Sequence, residues 1–469
     1  MNLARHSITA TNPVHIFDTR LDADCEIFTT CSPAGFAVYK AWPLQLLRKR
    51  GTPMHLSCRN FCTNVPITCL ELSGGTLVAA MPMHTSSLLF LLGGGRSPLY
   101  PPNKVILWDD AIGSEVAELE FRERVRGFAC RRGWLAVSLR RRVVVFEIGH
   151  QVTRYQEWDT CDNPRGLVAL ASGTHATLLA IPGRQMGHVQ LIHLPPCSPP
   201  PLKGPPPLIP PKKPPPPPEK YPVSIIAAHT TALSTLSVPP SGRLLATTSS
   251  RGTLVRIWDS LTGKLVREFR RGTDKAEIFG VAFRPDEQEL CVWSDKGTVH
   301  LFTLLSAASN RQSTFSPLVP YIPLPKYFES EWSYAQYRIP TQSSHISLSA
   351  TTSSRSTTED IPDEERCVVG WIEVPSGDAS VPSEYQLIAL TYSGGWYRLS
   401  IPNTNSGVSS SFSSSSPPKG PQGRTASVSS TRSDRSYSKG KEKEKNRDPK
   451  ASQCQLQEFR RYGRWDGWG

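Results

Sequence analysis

Ser249-Ser-Arg-Gly-Thr-Leu-Val-Arg-Ile257 is echoed further along the chain by Ser294-Asp-Lys-Gly-Thr-Val-His-Leu-Phe302. Ser249 and Ser294, Gly252 and Gly297, and Thr253 and Thr298 are each 45 positions apart. A repeat of about 40–45 residues with several short β runs inside it is the signature of a propeller blade. Short runs elsewhere, such as Gly35–Tyr39, Leu88–Leu92, Lys104–Trp108, Trp134–Leu139 and Val143–Ile148, alternate with Gly, Asp and Ser turns. That punctuation suits a propeller or a sandwich, and the 45-residue register selects the propeller. Trp108-Asp109 and Trp258-Asp259 each end a β run and open a polar turn, as the dipeptide does in Trp-Asp repeats. The expected fold class is all-β: a seven-bladed, WD-repeat-like β-propeller with disordered insertions.

Segments 194–220, 306–328, 340–366 and 403–450 carry no core-forming pattern. Without them about 345 residues remain, enough for seven blades of just under about 50 residues each. The propeller is therefore expected over 14–402 plus 451–469. Segment 194–220 is a proline-rich, polyproline-like loop from the fourth blade, either a stiff surface excursion or a ligand for an SH3-type domain. Segment 340–366 is a polar loop. Segment 403–450 is Ser/Lys-rich with almost nothing apolar, so disorder is expected there. Cys454–Phe459 regains a strand pattern and is expected to return to the propeller as its last strand.

The formal net charge of +13 favours anionic partners: membranes, phosphorylated ligands or nucleic acid. Nucleic acid is disfavoured, since no zinc finger, RNA-recognition signature or helix-turn-helix pattern is present. Eleven cysteines without a Cys-x-x-Cys pair indicate small buried thiols in a reducing compartment. His55, Cys58, Cys62 and Cys69 match no standard zinc spacing, so no metal is expected. No secretory leader is expected, and Ser87–Leu92 is far too short to span a bilayer. Any membrane contact must be peripheral.

Between the two repeat copies lies Leu265-Val-Arg-Glu-Phe-Arg-Arg-Gly-Thr273. Neighbouring residues on a strand point to opposite sides, so Arg270 and Arg271 are able to serve two pockets. The first gathers His229, Ser249, Thr253 and Arg256; the second gathers Ser294, Lys296, Thr298 and His300. Arginine grips phosphate oxygens bidentately and hydroxyls donate to them. A histidine beside phosphate gains protons as pH falls, which predicts some acid enhancement of binding. Either half alone reads more readily as ordinary blade-turn chemistry; the arginine pair between equivalent halves favours a ligand. Glu458-Phe-Arg-Arg-Tyr462 repeats the motif without glycine or a flanking Ser-x-x-Gly-Thr unit, and reads as a basic strand rather than a third site.

Phe315–Phe328 is apolar and aromatic but broken by prolines; Phe315, Leu318, Tyr321 and Ile322 are expected to insert into a membrane, whereas Leu324–Phe328 reads equally as folding back on the propeller. Aromatics beside lysine suit a bilayer surface. Burying about 200–300 Å² of it contributes roughly 5–8 kcal/mol before ordering costs.

Phe269-Arg-Arg-Gly272 between those two blades resembles the signature of the PROPPINs, seven-bladed propellers that bind polyphosphoinositides. Leu91–Pro98 leading into Pro101–Asp110, Met186–Leu191, and Leu324–Phe328 followed by Trp332-Ser-Tyr334 are similar to the family's second, fourth and sixth blades. The likeness is nearest to the branch of yeast Hsv-type and shorter WIPI-type members. It implies binding of phosphatidylinositol 3-phosphate and phosphatidylinositol 3,5-bisphosphate in autophagy. It further implies peripheral attachment to vacuole, endosome and pre-autophagosomal membranes from the cytoplasm, and an autophagy lipid-transfer protein as partner. The family's sites match at His229, Ser249, Thr253, Arg256 and Arg270 for one pocket, and at Arg271, Ser294, Thr298 and His300 for the other. Gly272 completes the motif, and 306–328 corresponds to the family's membrane-inserting loop. Neither catalysis nor a cofactor is expected, since no converging carboxylates, nucleophile elbow or P-loop is visible. The competing reading is a protein-only propeller scaffold gripping acidic or phosphorylated peptides.

Overall fold

Seven sheets, antiparallel except for one added edge strand, form a β-propeller. The computed structural model describes residues 16–51, 75–83, 86–95, 97–173, 175–195, 224–305, 310, 330–340, 366–375, 383–402 and 453–463. Blade one is β1 to β4 (Asp18–Leu21, Ile27–Ser32, Gly35–Lys40, Gln45–Gly51), and blade two is β5 to β8 (Leu77–Pro82, Leu88–Gly93, Lys104–Asp109, Ser114–Glu120). Blade three is β9 to β12 (Gly127–Arg131, Trp134–Ser138, Arg142–Ile148, Val152–Asp159). Blade four is β13 to β16 (Ala169–Leu170, Leu178–Pro182, His188–His193, Ile225–Ala227). Blade five is β17 to β20 (Leu233–Ser237, Leu244–Ser249, Leu254–Asp259, Leu265–Arg270), with β24 (Glu331–Trp332) added parallel on its outer edge. Blade six is β21 to β23 (Ile278–Phe283, Glu289–Ser294, Thr298–Thr303) plus β25 (Ala335–Arg338). Blade seven is β26 to β29 (Cys367–Val374, Glu384–Thr391, Gly395–Ser400, Gln455–Arg461).

The second strand of each blade is deeply buried because both of its faces are covered by neighbouring blades. β10 is buried at all five positions and β22 at all six. Among the described residues seven hydrophobic clusters form, each shared by two adjacent blades. The cluster joining blades seven and one includes Phe28, Tyr39, Trp396 and Tyr462, so the ring closes by packing. Hydrogen bonds reinforce that seam. Trp396 Nε1 donates to the Ala41 carbonyl at 3.1 Å, and Gly463 N donates to Tyr39 Oη at 3.0 Å. The expected terminal strand is β29, which pairs with β28 of its own blade rather than bridging to blade one.

The two Trp-Asp dipeptides earn their place at the ends of β7 and β19. Asp109 and Asp259 each accept backbone N–H groups of the following turn, the usual way an aspartate starts a turn. The proline-rich, polar and Ser/Lys-rich insertions, the 306–328 loop apart from Asn310, and His55, Cys58, Cys62 and Cys69 lie outside the described residues. Among the described residues no group of three or more metal-ligating side chains occurs, and no helix is long and apolar enough to cross a membrane.

Candidate anion-binding site on blades five and six

The repeat that reveals the fold makes two matching turns. Gly252 N donates to Ser249 O at 2.8 Å, and Gly297 N donates to Ser294 O at 3.0 Å. Both glycines adopt left-handed φ values, +64° and +65°, which favour glycine. At Gly252 a Cβ would sit 1.8 Å from the Ala276 carbonyl oxygen. Thr391 and Gly394 make the same turn in blade seven, so this geometry is general blade architecture. The arginines distinguish blades five and six.

Phe269 anchors them. It is wholly buried and stacks on Phe302 of blade six with ring centroids 4.8 Å apart. Arg270 is half-buried and is registered between Leu254 on one side and Trp332 on the other. Arg271 follows the end of β20 and folds onto the blade-five turn. Its backbone N–H donates to Thr253 O at 2.9 Å, its Nε donates to Gly252 O at 2.9 Å, and its Nη2 donates to Asp274 O. Only 7% of Arg271 is exposed. Burial pushes its pKa down while Asp295 and Asp274 push it up. Burial, followed by the Arg271 charge, pushes the His300 imidazole down to about 4. The guanidinium thus rests on the blade-five turn while its field reaches the blade-six histidine.

The remaining expected residues differ in burial and in the partners that hold them. Ser249 and Ser294 are buried, Thr253 and Thr298 are half-buried, and Lys296 is half-exposed beside Asp295 at 3.3 Å. Arg256 lies directly across from Glu268; its Nε donates to that carboxylate at 2.8 Å and its Nη1 donates to Ala228 O at 2.7 Å. His229 Nε2 sits 2.9 Å from Thr247 Oγ1, which also accepts from Trp258 Nε1 at 2.9 Å. Arg256 and His229 therefore both help to hold blade five together. A Cβ on Gly272 would meet nothing within 4 Å.

Burial, then the charge of Arg256, pushes His229 down to about 4 as well. Both rings are therefore neutral at pH 7, and the acid enhancement expected from the sequence would begin only well below neutrality. The unfolded chain binds protons near pH 6.5 while the folded rings resist them. Stability from these two groups is present in full above about pH 6.5 and is lost as pH falls towards 4. Urea titrations should show about 1 kcal/mol lost per histidine between pH 7.5 and 5.5. His229→Gln and His300→Gln should each remove part of that slope; an unchanged slope in both would contradict the assignment.

Sequence reasoning missed the segment after β23. Ser333 Oγ lies 3.1 Å from His300 Nδ1, and Arg338 is registered opposite Thr298. Glu331 accepts from Arg267 Nη1 at 2.9 Å. Nothing local to residues 298–303 announces these partners; the only signal was the Trp332-Ser-Tyr334 likeness.

The motif copy in blade seven occupies the same register. Arg398 Nε donates to Glu458 at 3.2 Å, as Arg256 does to Glu268. Phe459, however, is 45% exposed, and the position of Gly272 is held by Tyr462, 1% exposed in the closing seam. Its surroundings are filled by protein.

A family model described as PROPPIN matches residues 220–354, spanning both turns and the arginine pair. SVP1-like protein 2 of Pichia angusta is 30% identical over 340 residues, covering 72% of this chain and 84% of that protein. Autophagy-related protein 18e of Arabidopsis thaliana is 32% identical over 278 residues, covering 58% of this chain and 66% of that one. The solved structure of Kluyveromyces lactis Hsv2 with its complete loop 6CD superposes with a TM-score of 0.56 at 16% identity. It covers 96% of this chain and 99% of its own. At that identity the likeness speaks to the fold.

Proposed function

The chain belongs to the PROPPIN family, and from that premise we propose that it is a non-enzymatic scaffold that attaches to membranes through phosphoinositide headgroups. The carrying observation is Arg271, whose guanidinium is fixed to the Gly252 carbonyl while its charge acts on His300 of the next blade. A phosphate seated there meets a pre-oriented donor with its conformational freedom already removed, which raises affinity. His229, Ser249, Thr253, Arg256 and Arg270 serve the first pocket; Arg271, Gly272, Ser294, Thr298 and His300 serve the second. The lipids are phosphatidylinositol 3-phosphate and phosphatidylinositol 3,5-bisphosphate. The work is in autophagy, from the cytoplasmic side of vacuole, endosome and pre-autophagosomal membranes, with a lipid-transfer protein as partner. A relative's description as autophagy-related supports the process. Phe315, Leu318, Tyr321 and Ile322 add apolar insertion, so that headgroup pockets and loop multiply one another's weak affinities.

Vesicle flotation tests this. The protein should float with phosphatidylcholine vesicles containing a few per cent of either lipid and stay in solution with phosphatidylinositol at the same content. Phe315→Asp with Tyr321→Asp should cut recovery at least about tenfold, since burying a charge forfeits several kcal/mol, yet retain binding of the soluble headgroup. Equal flotation on unphosphorylated phosphatidylinositol, or binding to acidic peptides instead, would refute the lipid reading.

A further inference from the structure

Residues 330–334 carry the chain from blade five to blade six within a few positions. β24 sets Glu331 beside Phe269 and Trp332 beside Arg270 in parallel register. Both Glu331 carboxylate oxygens are used: Oε1 accepts from Arg267 at 2.9 Å and Oε2 from Asn310 Nδ2 at 2.6 Å. The Arg267–Glu331 pair is mostly withdrawn from solvent, at 24% and 13% side-chain exposure, where an ion pair is screened less than on an open surface. Asn310 in turn brackets Thr303, donating to its carbonyl and accepting from its N–H, both at 2.9 Å. Two residues beyond Glu331, Ser333 meets His300 Nδ1 at 3.1 Å, and Tyr334 N donates to Leu301 O at 3.0 Å. The strap is thus pinned on the arginine strand at one end and on the blade-six histidine at the other.

His300 sits between a serine hydroxyl and an arginine. Burial and the Arg271 charge keep its ring neutral at pH 7, and a neutral imidazole carries one N–H only. If that proton lay on Nδ1 it would be spent on Ser333, and Nε2 would turn a lone pair towards an incoming phosphate oxygen. If it lies on Nε2, the ring is a donor. The partner of one nitrogen decides which case holds.

We propose that Ser333 is a positioning residue of the second pocket: its hydroxyl donates to His300 Nδ1, holding the ring's proton on Nε2 as a donor to phosphate. This deepens the phosphate reading above and rests on it. Ser333 itself touches no phosphate in this scheme. Its position is set by the Glu331 clamp, so the strand bearing Arg270 and the tautomer of His300 share one short tether.

The probe is inositol 1,3-bisphosphate, titrated calorimetrically into full-length protein. The Arg270→Thr background reads the second pocket, and the Arg271→Thr background reads the first. Ser333→Ala should weaken binding about five- to tenfold where the second pocket is read, the loss of one hydrogen bond, and less than about twofold where the first is read. Ser333→Thr, which keeps the hydroxyl, should restore affinity to within about twofold. Histidine ¹⁵N shifts of the bound parent should report the Nε2–H tautomer, and Ser333→Ala should mix the two. Equal losses in both backgrounds, no rescue by threonine, or an Nδ1–H tautomer in the bound parent would overturn the assignment. A parent that does not bind the probe overturns the phosphate reading with it; a binding parent indifferent to Ser333→Ala overturns this inference alone.

Discussion

Replacing both Arg270 and Arg271 with threonine should abolish recovery on vesicles containing phosphatidylinositol 3-phosphate, with an affinity loss of at least about 100-fold. Each hydrogen bond to a charged group contributes about 1.5–3 kcal/mol, and each 1.4 kcal/mol is tenfold. Two lost clamps therefore amount to about 3–6 kcal/mol. The effect on the fold needs separate control, because Arg271 also holds the Gly252 and Asp274 carbonyls. Arg271→Lys keeps the charge and loses the fork, so it should retain non-specific attraction to anionic vesicles while losing selectivity for the phosphorylated headgroup. Parent and double variant floating equally on these vesicles would remove the basis for the proposed function.

The second large effect contrasts two glycines. Gly252→Ala should cost about 3 kcal/mol or more in urea denaturation. It combines an unfavourable left-handed φ, about 1 kcal/mol, with displacement of the Ala276 carbonyl, which would lie 1.8 Å from the new Cβ. Gly272→Ala should leave the denaturation midpoint within about 0.5 kcal/mol of the parent, since its Cβ meets no protein atom within 4 Å. Its effect should appear in headgroup binding, about tenfold weaker, because the proposed function brings a phosphate to the backbone through the open space beside Gly272. Unchanged affinity in Gly272→Ala would assign that space to solvent.

The pair also shows what was legible in the chain. Gly252 and Gly297 are visible through their 45-residue spacing, because each blade repeats the same β-turn. The requirement at Gly252 comes from Ala276, 24 positions later, and nothing near Gly252 announces it. Strand recognition divides in the same way. β6, β7, β10 and β11 were expected nearly residue for residue, because they are buried on both faces and so appear as apolar runs. The outermost strands β4, β8 and β12 carry no such run. Their side chains are mostly exposed, with charged residues such as Arg48, Glu115 and Glu157. They are strands because a neighbour offers hydrogen bonds, a reason that leaves little trace in composition.

At the candidate site, residue types and spacing pointed to both arginines, both turns and both histidines. They did not reveal that Arg256 is paired with Glu268, that His229 leans on Thr247 and Trp258, or that Tyr462 occupies the place of the motif glycine in blade seven. Each of these is a contact between strands of one blade or across the closing seam.

From the sequence alone came the blade period, the expected class of ligand and the arginine pair proposed to recognise it. These are properties of local patterning: a repeated turn, a strand period of two, and side chains whose chemistry is the same wherever they lie. Only the tertiary structure decided how the ring closes, which blade Arg271 leans on, and that the chain returns after an insertion to set Ser333 against His300. Those outcomes depend on side chains far apart in sequence meeting in a packed interior, where burial alters charge and a neighbour chooses which nitrogen keeps its proton.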